Sequence, residues 1–259
     1  MLGAIFGDIV GSTYEFFNTR NYNFEMFPHG SNYTDDSILT IAVADAVLRG
    51  KDYEKTIYEW AMKYPNPKGA YGGSFFRWMY SEKQEPYGSF GNGSAMRVSA
   101  VGWLFDDEET LLNEAKKSAD CTHNHPEGIK GAQATAMAVF LARKGKSKDF
   151  IQTYIEQKFG YIFNRSVNEI RENYTFNETC QGTVPEALTC FFESTSFEDA
   201  IRKGISIGGD SDTIGAIVGG IAEAFYGIPA DFAQKAMSFL PEDMKEVLDE
   251  FQIARAKKG

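Results

Sequence analysis

Cysteine is scarce in this chain of 259 residues, and the spacing of the few cysteines is uninformative for pairing. The three are Cys121, Cys180 and Cys190. They are odd in number and none belongs to a Cys-x-x-Cys pair, which argues against a disulfide framework. We therefore expect three reduced thiols that are buried or partly buried.

Long apolar runs and a leading basic segment are also missing. No stretch approaches the roughly 20 apolar residues that a membrane span needs. The N-terminal segment is partly apolar, but no positive charge leads it, and it contains Asp8 and Glu15, which a signal peptide does not tolerate. We expect a soluble, cytoplasmic protein with no membrane partner.

Basic residues are outnumbered by acidic ones. The chain has 26 Lys and Arg against 36 Asp and Glu, for a formal net charge of −10. This balance makes nucleic acid an improbable partner and argues against binding to an anionic membrane. A small anionic ligand is still compatible with it, provided that a metal or local donors receive the anion.

Strand-like alternation is rare, and helical periodicity dominates the sequence. About ten segments carry the pattern of a helix and none makes a convincing sheet, so the expected fold class is all-α. Hydrophobic residues make up 43% of the chain, which is typical of a globular protein. We expect one domain over residues 1–259, and a monomer, since no apolar surface demands a partner.

The first feature that indicates a site is residues 208–215, Gly-Gly-Asp-Ser-Asp-Thr-Ile-Gly. An apolar run from Ile217 to Phe225 follows, which predicts a turn that leads into a buried helix. Thr213 is expected at or near the N-cap of that helix. Solvated carboxylates rarely precede a helix that packs inside, so these acids need another explanation.

A similar cluster, Thr34-Asp35-Asp36, precedes a helix that is apolar on almost every face. Thr34 or Asp35 is the expected N-cap. Acids are favourable at a helix start because of the helix dipole, so capping alone could explain one such pair. Two pairs, each beside a threonine and each opening a buried helix, indicate more than capping.

The N-terminal segment, residues 3–17, carries a glycine at every fourth position from Gly3 to Gly11. This spacing predicts a helix with one glycine face that packs closely against another backbone. Asp8 lies near that face, and Glu15 is expected two turns further along on a similar side. Capping or solvation of each acid is the alternative interpretation.

Residues 86–99 form a glycine-rich segment that is expected to open a helix. Such turns present backbone N–H groups to an anion, and Arg97 could add a positive charge. An ordinary turn is the alternative. Two of the three histidines, His123 and His125, follow further along the chain. A substrate contact or a helix cap is favoured for them over zinc, because no cysteine partner is near and the acids suit harder cations.

The aspartates of the two motifs have a predictable electrostatic consequence if they converge. Asp35, Asp36, Asp210 and Asp212 would repel one another in a desolvated site unless protons or cations neutralised them. All-oxygen ligands with threonine hydroxyls suit Mg²⁺ or Mn²⁺. Two divalent ions balance four aspartates, which predicts a binuclear site. Glu15 is then a surplus acid and the best candidate for a general base or acid.

Five motifs together resemble those of the ADP-ribosylglycohydrolase family. In chain order they are Gly7-Asp8 with Glu15, Thr34-Asp35-Asp36, the run from Gly88 to Arg97, Thr122-His123, and the run from Gly209 to Gly215. Each is short, but five in this order are specific, and they cover nearly the whole chain. The resemblance implies a compact, orthogonal helical bundle with two Mg²⁺ ions, or sometimes Mn²⁺.

The resemblance also implies roles for individual residues. The implied metal ligands are Thr34, Asp35, Asp36, Asp210, Asp212 and Thr213. Glu15, with Asp36, is implied in catalysis near the scissile bond, and Asp8 is implied as a substrate contact or a support behind the ligands. The implied contacts to the diphosphate and adjoining ribose are Gly88, Ser89, Phe90, Gly91, Asn92, Gly93, Ser94, Met96 and Arg97, with His123 beside them. Tyr87 or Phe90 could stack on adenine.

The expected activity is hydrolysis of the C1″ glycosidic bond of an ADP-ribosylated protein or small molecule, with release of ADP-ribose. Arginine-linked ADP-ribose is the first choice of substrate. Serine-linked ADP-ribose, O-acetyl-ADP-ribose and ADP-ribosylated nucleic acid stay open, although the acidic charge weighs against the last. The rival functions are a non-catalytic ADP-ribose-binding or crystallin-like protein and a binuclear-metal phosphohydrolase, which would release AMP or phosphate instead.

Overall fold

The computed structural model describes residues 1–257, and within them it consists of helices and connecting turns, with two isolated β-bridges. The helices are α1 (Leu2–Gly11), α2 (Asp35–Arg49), α3 (Tyr53–Lys63), α4 (Gly73–Met79), α5 (Gly93–Met96), α6 (Ser99–Leu104), α7 (Glu108–Asp120), α8 (Pro126–Arg143), α9 (Lys148–Phe159), α10 (Val167–Asn173), α11 (Cys180–Phe192), α12 (Phe197–Ser206), α13 (Ser211–Tyr226), α14 (Ala230–Met237) and α15 (Glu242–Ala256). The all-α prediction is confirmed. The helices outnumber the expected ten because several, such as α5 and α6, are too short to show a full apolar period.

The described helices also bear on the predicted absence of a membrane span. None of those in residues 1–257 combines the length and the apolarity that crossing a membrane requires. The most apolar ones, α1 and α13, are buried over almost their whole length inside the protein. Their apolar surface is therefore covered by other helices.

Helices α1 and α13 lie at the centre of the fold with their backbones in contact. A Cβ built on Gly7 would lie 1.9 Å from the carbonyl oxygen of Gly215, and one built on Gly11 would lie 2.4 Å from that of Ser211. Such an approach is open only to residues without a side chain, so the predicted close packing of the glycine face is confirmed. Residues later in α1 contact residues earlier in α13, so the two helices are antiparallel. The end of α1 therefore lies beside the start of α13.

The end of α1 differs from the prediction. The helix stops at Gly11, where the Ser12 hydroxyl donates to the Ile9 carbonyl (2.8 Å) and the Tyr14 amide turns back to the Gly11 carbonyl (2.7 Å). The helical position predicted for Glu15 is therefore wrong. Glu15 lies in the turn that follows α1, and the turn, not a helix face, directs its side chain.

The two acid-bearing helices begin close to where the sequence places them. Thr34 is the N-cap of α2, and its hydroxyl oxygen accepts the amide of Asp36 at 3.2 Å. Asp210 takes the N-cap position of α13, and Thr213 is the third residue of that helix rather than its cap. The Asp210 side chain accepts no hydrogen bond from the start of α13. Capping of α13 therefore does not occupy the oxygens of this carboxylate.

Helix α11 begins early, at Cys180, ahead of the Thr183-Val184-Pro185 stretch, where a proline would favour a helix start. The Thr179 hydroxyl caps it by accepting the amide of Gly182 at 3.1 Å, so the helix starts three residues before Thr183. Pro185 consequently lies inside α11 and not in its first turn. This early start matters for the site, because the residues just before α11 pair with the glycine-rich segment through the Gly91–Thr179 bridge.

Candidate active site

Three chain segments bring five carboxylates to one cleft of about 420 Å³. Asp35 and Asp36 come from the start of α2, Asp210 and Asp212 from the start of α13, and Glu15 from the turn after α1. Glu15, Asp210 and Asp212 each offer an oxygen within 4.8 Å of the other two. The antiparallel packing of α1 on α13 causes this convergence, since it places the turn after α1 beside the first residues of α13.

The carboxylates of the cleft are hard to ionise together. Burial, followed by repulsion from Asp212, raises the pKa of Glu15 to about 8. Burial likewise raises the pKa of Asp210 to about 6 and holds those of Asp35, Asp36 and Asp212 well above the ordinary value. Without a cation, several of these groups must carry a proton at neutral pH.

The donor set of the cleft fits a hard divalent cation. One oxygen of the buried Asp36 has no hydrogen-bond partner, although buried carboxylate oxygens are ordinarily paired. The Thr34 hydroxyl accepts only the Asp36 amide and donates to Asp8, which leaves one lone pair on its oxygen. Carboxylate and hydroxyl oxygens are the ligands that such cations prefer. The acidic cluster could therefore bind metal.

Asp8 supports the cluster from behind and does not line the cleft. It is fully buried, and its carboxylate accepts the amide of Thr34 (2.9 Å), the hydroxyl of Thr34 (2.7 Å), the amide of Ser37 (3.0 Å) and the hydroxyl of Ser37. Burial raises the pKa of Asp8 to about 6 in spite of these bonds. Of the two roles predicted for Asp8, these contacts favour support behind the ligands, because both oxygens bond to Thr34 and Ser37 at the start of α2.

The glycine-rich segment forms the opposite side of the cleft. The predicted substrate-binding residues that line it are Ser89, Gly91, Asn92, Gly93, Met96 and Arg97. Asn92 joins this segment to the acids, since its side-chain amide donates to Asp210 at 2.8 Å and to the Thr183 hydroxyl at 3.1 Å. The segment is therefore held at a fixed place beside the carboxylates.

Three of the predicted substrate-binding residues in the glycine-rich segment lie outside the lining. The fully buried Ser94 donates its hydroxyl to the Gly128 carbonyl (2.7 Å), so this side chain fixes α8 and does not reach the cleft. The Gly88 amide is likewise occupied, by the side chain of Asn124 (2.7 Å). Phe90 is exposed beside the lining, with its ring 5.2 Å from that of a neighbouring histidine in the loop before α8.

Arg97 is the buried cation of the site. Its side chain is fully buried and lines the cleft, and one terminal nitrogen donates to the Ser118 carbonyl (2.7 Å) and the Thr122 hydroxyl (2.9 Å). Its Nε and its other terminal nitrogen have no partner, and no carboxylate within residues 1–257 pairs with it. A buried guanidinium without a counter-charge is costly, so an anion in the cleft would be well placed beside it.

The two neighbouring histidines have different roles. His125 is the N-cap of α8, where its ring accepts the Glu127 amide at 3.1 Å, which agrees with the predicted cap. His123 lines the cleft, and its Nδ1 lies 2.7 Å from the Thr122 hydroxyl. Burial and then the charge of Arg97 hold the pKa of His123 well below the ordinary value, so this imidazole is neutral.

One wall of the cleft was not predicted from the sequence. Residues 69–75 line it, together with Phe16 and Glu178, and next to the adenine-stacking candidate Tyr87. The sequence shows residues 69–73 as a glycine- and tyrosine-rich run, but nothing in it points to the acids. The connection is tertiary, because the Thr34–Lys68 bridge carries this run over the start of α2. Backbone strain marks the wall as well: Ala70 has φ of 68°, a left-handed conformation that alanine rarely adopts.

Comparisons with known proteins identify relatives of this chain. A sequence model described as ADP-ribosylglycohydrolase matches residues 1–258. The chain is similar to ADP-ribosylhydrolase ARH3 of Homo sapiens, with 26% identity over 94% of this chain and 90% of that protein. It is also similar to the ADP-ribosylarginine hydrolase Tri1 of Pseudomonas putida, with 24% identity over 91% of this chain and 72% of that protein.

The fold has a solved counterpart too. A structure titled as an ADP-ribosylglycohydrolase-related protein complex superposes with a TM-score of 0.74, covering 98% of this chain and 97% of that one at 22% identity. At this identity the likeness shows the fold, and the family match over the whole chain carries the classification. The chain therefore belongs to the ADP-ribosylglycohydrolase family, and with it to the hydrolases of glycosidase type.

Proposed function

We propose that this protein hydrolyses the C1″ glycosidic bond of ADP-ribose attached to arginine on a protein, and releases ADP-ribose. The observation that carries the proposal is the cleft itself. Five carboxylates face a glycine-rich segment and a buried, unpaired Arg97 across about 420 Å³. A cation site beside an anion site suits a ribose joined to a diphosphate. The arginine linkage is supported by the similarity to an ADP-ribosylarginine hydrolase.

We assign cation binding to the oxygens of Thr34, Asp35, Asp36, Asp210, Asp212 and Thr213. Four aspartates balance two divalent cations, which we take to be Mg²⁺, with Mn²⁺ as the substitute. Bound there, the cations would supply the positive charge that lets these acids ionise together, and Lewis-acid sites for the ribose hydroxyls and a water. Asp8 would hold Thr34 and the first turn of α2 in place for this purpose.

The chain's own residues account for the remaining steps. Glu15, half-buried at the edge of the cluster, is the proton-transfer group, because its carboxyl is the one not needed for charge balance. Cleavage of a glycosidic bond builds positive charge on the sugar ring, which the surrounding carboxylates stabilise. Arg97 and the segment around Gly91 and Gly93 would receive the diphosphate, and the exposed Phe90 ring offers a stacking surface for adenine.

Product analysis with defined substrates tests the function. Arginine-, serine- and nucleobase-linked ADP-ribose are incubated with the protein in Mg²⁺ and, separately, in EDTA. We expect ADP-ribose from the arginine-linked substrate in Mg²⁺ and none in EDTA. Release of AMP or phosphate would contradict a glycohydrolase. Preference for another linkage would support glycosidic hydrolysis but contradict arginine-linked ADP-ribose as the substrate.

Gly69→Ala is predicted to lower kcat by about tenfold or more while KM changes little. A Cβ at Gly69 would lie 2.9 Å from Oε2 of Glu15, so the methyl group displaces the carboxylate from the cluster. Gly145→Ala is the matched control, since Gly145 has a similar φ of 72° and its Cβ would meet nothing within 4 Å. Each variant carries about 1 kcal/mol of backbone strain. Equal kcat values for the two variants, measured at steady state, would contradict a positional effect on Glu15.

The stability of the metal-free protein is predicted to fall as pH rises. Glu15 and Asp210 have folded-state pKa values of about 8 and about 6, above their unfolded values of 4.5 and 3.8. Their contribution to stability is therefore complete below the unfolded values and is lost as pH rises through the folded values. Groups with depressed pKa values, such as Asp199 at about 2, lose their contribution only in acid.

Thermal melts in EDTA measure this effect. We expect Tm to drop by about 5 °C or more between about pH 5 and pH 8. Saturating Mg²⁺ should restore most of the loss, because the cations neutralise the cluster and bind only the folded chain. A Tm in EDTA that stays level or rises over this interval would show that folding does not disfavour ionisation of these acids.

A further inference from the structure

The position of Glu15 depends on the turn that carries it, residues 12–20, which links α1 to the loop before α2. Glu15 itself is only half-buried, and its neighbours Phe16 and Phe17 are exposed. The apolar contact at this part of the turn is the Phe16 ring, whose centroid lies 6.4 Å from that of Phe176. Polar contacts join the turn to the start of α13: the Ser211 hydroxyl donates to the Tyr14 carbonyl at 3.3 Å, and Asn18 and Arg20 add further hydrogen bonds.

Asn18 joins the turn to the residue before Asp210. The two hydrogens of its side-chain amide are shared among the carbonyls of Tyr14 (2.6 Å), Glu15 (2.9 Å) and Gly209 (2.8 Å), and its side-chain oxygen accepts the Gly209 amide at 2.8 Å. One carboxamide thus pairs with both backbone groups of Gly209 and with the carbonyl of Glu15. No other side-chain type of this size supplies two donor hydrogens and an acceptor in one plane.

The partner surface is shaped to receive this contact. Gly208 and Gly209 have φ of 71° and 80°, and a Cβ on Gly208 would lie 2.9 Å from the guanidinium carbon of Arg20 and 3.1 Å from the Asn18 side-chain oxygen. The Arg20 guanidinium donates to the carbonyls of Ile207 and Tyr174. The glycine pair that precedes Asp210 therefore serves as the docking site for the turn, which accounts for glycine at this position.

We propose that Asn18 is a positioning residue of the reaction: it fixes Glu15 relative to Asp210 and Asp212. The inference rests on the proposed function for its catalytic consequence. Asn18 does not line the cleft and touches none of its carboxylates, so it acts through the backbone of Glu15 and of Gly209. Because Asn18 is exposed, its replacement should leave the fold intact.

A double-mutant cycle tests this role. Asn18→Ala and the isosteric Asn18→Asp, which loses the donors, are measured alone and combined with Glu15→Gln. We expect each single Asn18 variant to lower kcat by about 10- to 100-fold, with KM and the dissociation constant for ADP-ribose within about twofold of wild type. In the Glu15→Gln background neither should lower the residual rate further, since the group that Asn18 positions is already inactive.

Asn21→Ala is the matched control on the adjoining chain. Asn21 is also an exposed asparagine, but its side chain accepts only the Asn23 amide (3.0 Å), so kcat should not change. The proposal is overturned if Asn18→Ala keeps wild-type kcat. It is also overturned if the variant weakens ADP-ribose binding in step with kcat, or if it lowers the rate equally in the Glu15→Gln background, since either result shows a general structural defect.

A second readout is independent of turnover. The three native cysteines are buried, so a thiol introduced by Glu15→Cys can be labelled selectively with iodoacetamide. Asn18→Ala should raise its labelling rate at least about threefold, because the turn is released from Gly209, whereas Asn21→Ala should not. An unchanged rate overturns the positioning role. Absence of turnover in the wild-type protein would instead refute the proposed function, and the labelling result would still decide the role of Asn18.

Discussion

Asp212→Asn is expected to reduce turnover of the arginine-linked substrate by at least about 10³-fold, and yet to leave the metal-free protein as stable as wild type or more stable. Asp212 is 3% exposed and its pKa is held well above the ordinary value by burial and by repulsion from Asp210. Asparagine keeps the shape and removes a charge that the metal-free fold disfavours. Function and stability should therefore change in opposite directions.

The measurement combines steady-state kinetics with thermal melts in EDTA and in Mg²⁺. For Asp212→Asn we expect no loss of Tm in EDTA and little or no rise on addition of Mg²⁺, because the variant lacks a proposed cation ligand. Calorimetric titration with Mg²⁺ should show weakened binding. A variant that kept both wild-type turnover and the wild-type Mg²⁺ response would remove Asp212 from the cation site.

Asp45→Asn provides the matched control. Asp45 is also buried, at 5% exposure, but it lies further along α2 and away from the cleft. Although burial opposes it, hydrogen bonds from Trp60 and Lys51 lower the pKa of Asp45 below the ordinary value. Its neutralisation should therefore destabilise the fold while kcat and the Mg²⁺ response stay close to wild type. The contrast separates a structural aspartate from a functional one.

Glu15→Gln is expected to lower kcat by about 10²- to 10⁴-fold while the affinity for ADP-ribose and the Mg²⁺ response are retained. Glutamine fills the same space and can still contact the substrate, but it cannot carry a proton between water and the leaving group. In the proposed charge balance Glu15 is not a cation ligand, so cations should bind as before. Kinetics on the arginine-linked substrate and calorimetry with ADP-ribose measure the two effects.

Glu178→Gln controls for charge in the same cleft. Glu178 also lines it, but its side chain is exposed. We expect its neutralisation to change kcat by less than about threefold, because an exposed charge interacts weakly with the reacting groups. Full activity of Glu15→Gln would show that the assigned proton transfer belongs to another group.

Several parts of the site could be predicted because they depend on local rules. The pairs of acids at residues 35–36 and 210–212 conflict with the buried helices that follow them, and that conflict identifies them without tertiary information. The spacing of Gly3, Gly7 and Gly11 predicts a close backbone contact in the same way, and the contact is present. In each case the pattern lies within one or two turns of chain.

Other parts could not be predicted, because they depend on which segments meet. Glu15 was expected on a helix face, but α1 ends at Gly11 and a turn carries the residue instead. The wall at residues 69–75 and the pairing of Asn18 with Gly209 join segments that are far apart in the chain. Neither contact involves a repeating sequence pattern, so hydrophobic periodicity cannot predict it.

The sequence by itself determined the fold class, the family and the acidic character of the site, since composition, helical periodicity and short motifs are properties of consecutive residues. The tertiary structure decided how the functional groups are arranged. It showed that Asp8 supports Thr34 from behind and that Arg97 is buried without a counter-ion among residues 1–257. It also showed that a carboxylate oxygen of Glu15 lies within 4.8 Å of oxygens of Asp210 and Asp212. The physical reason is the antiparallel contact of two glycine faces, which sets the separation of groups about 200 residues apart in the chain.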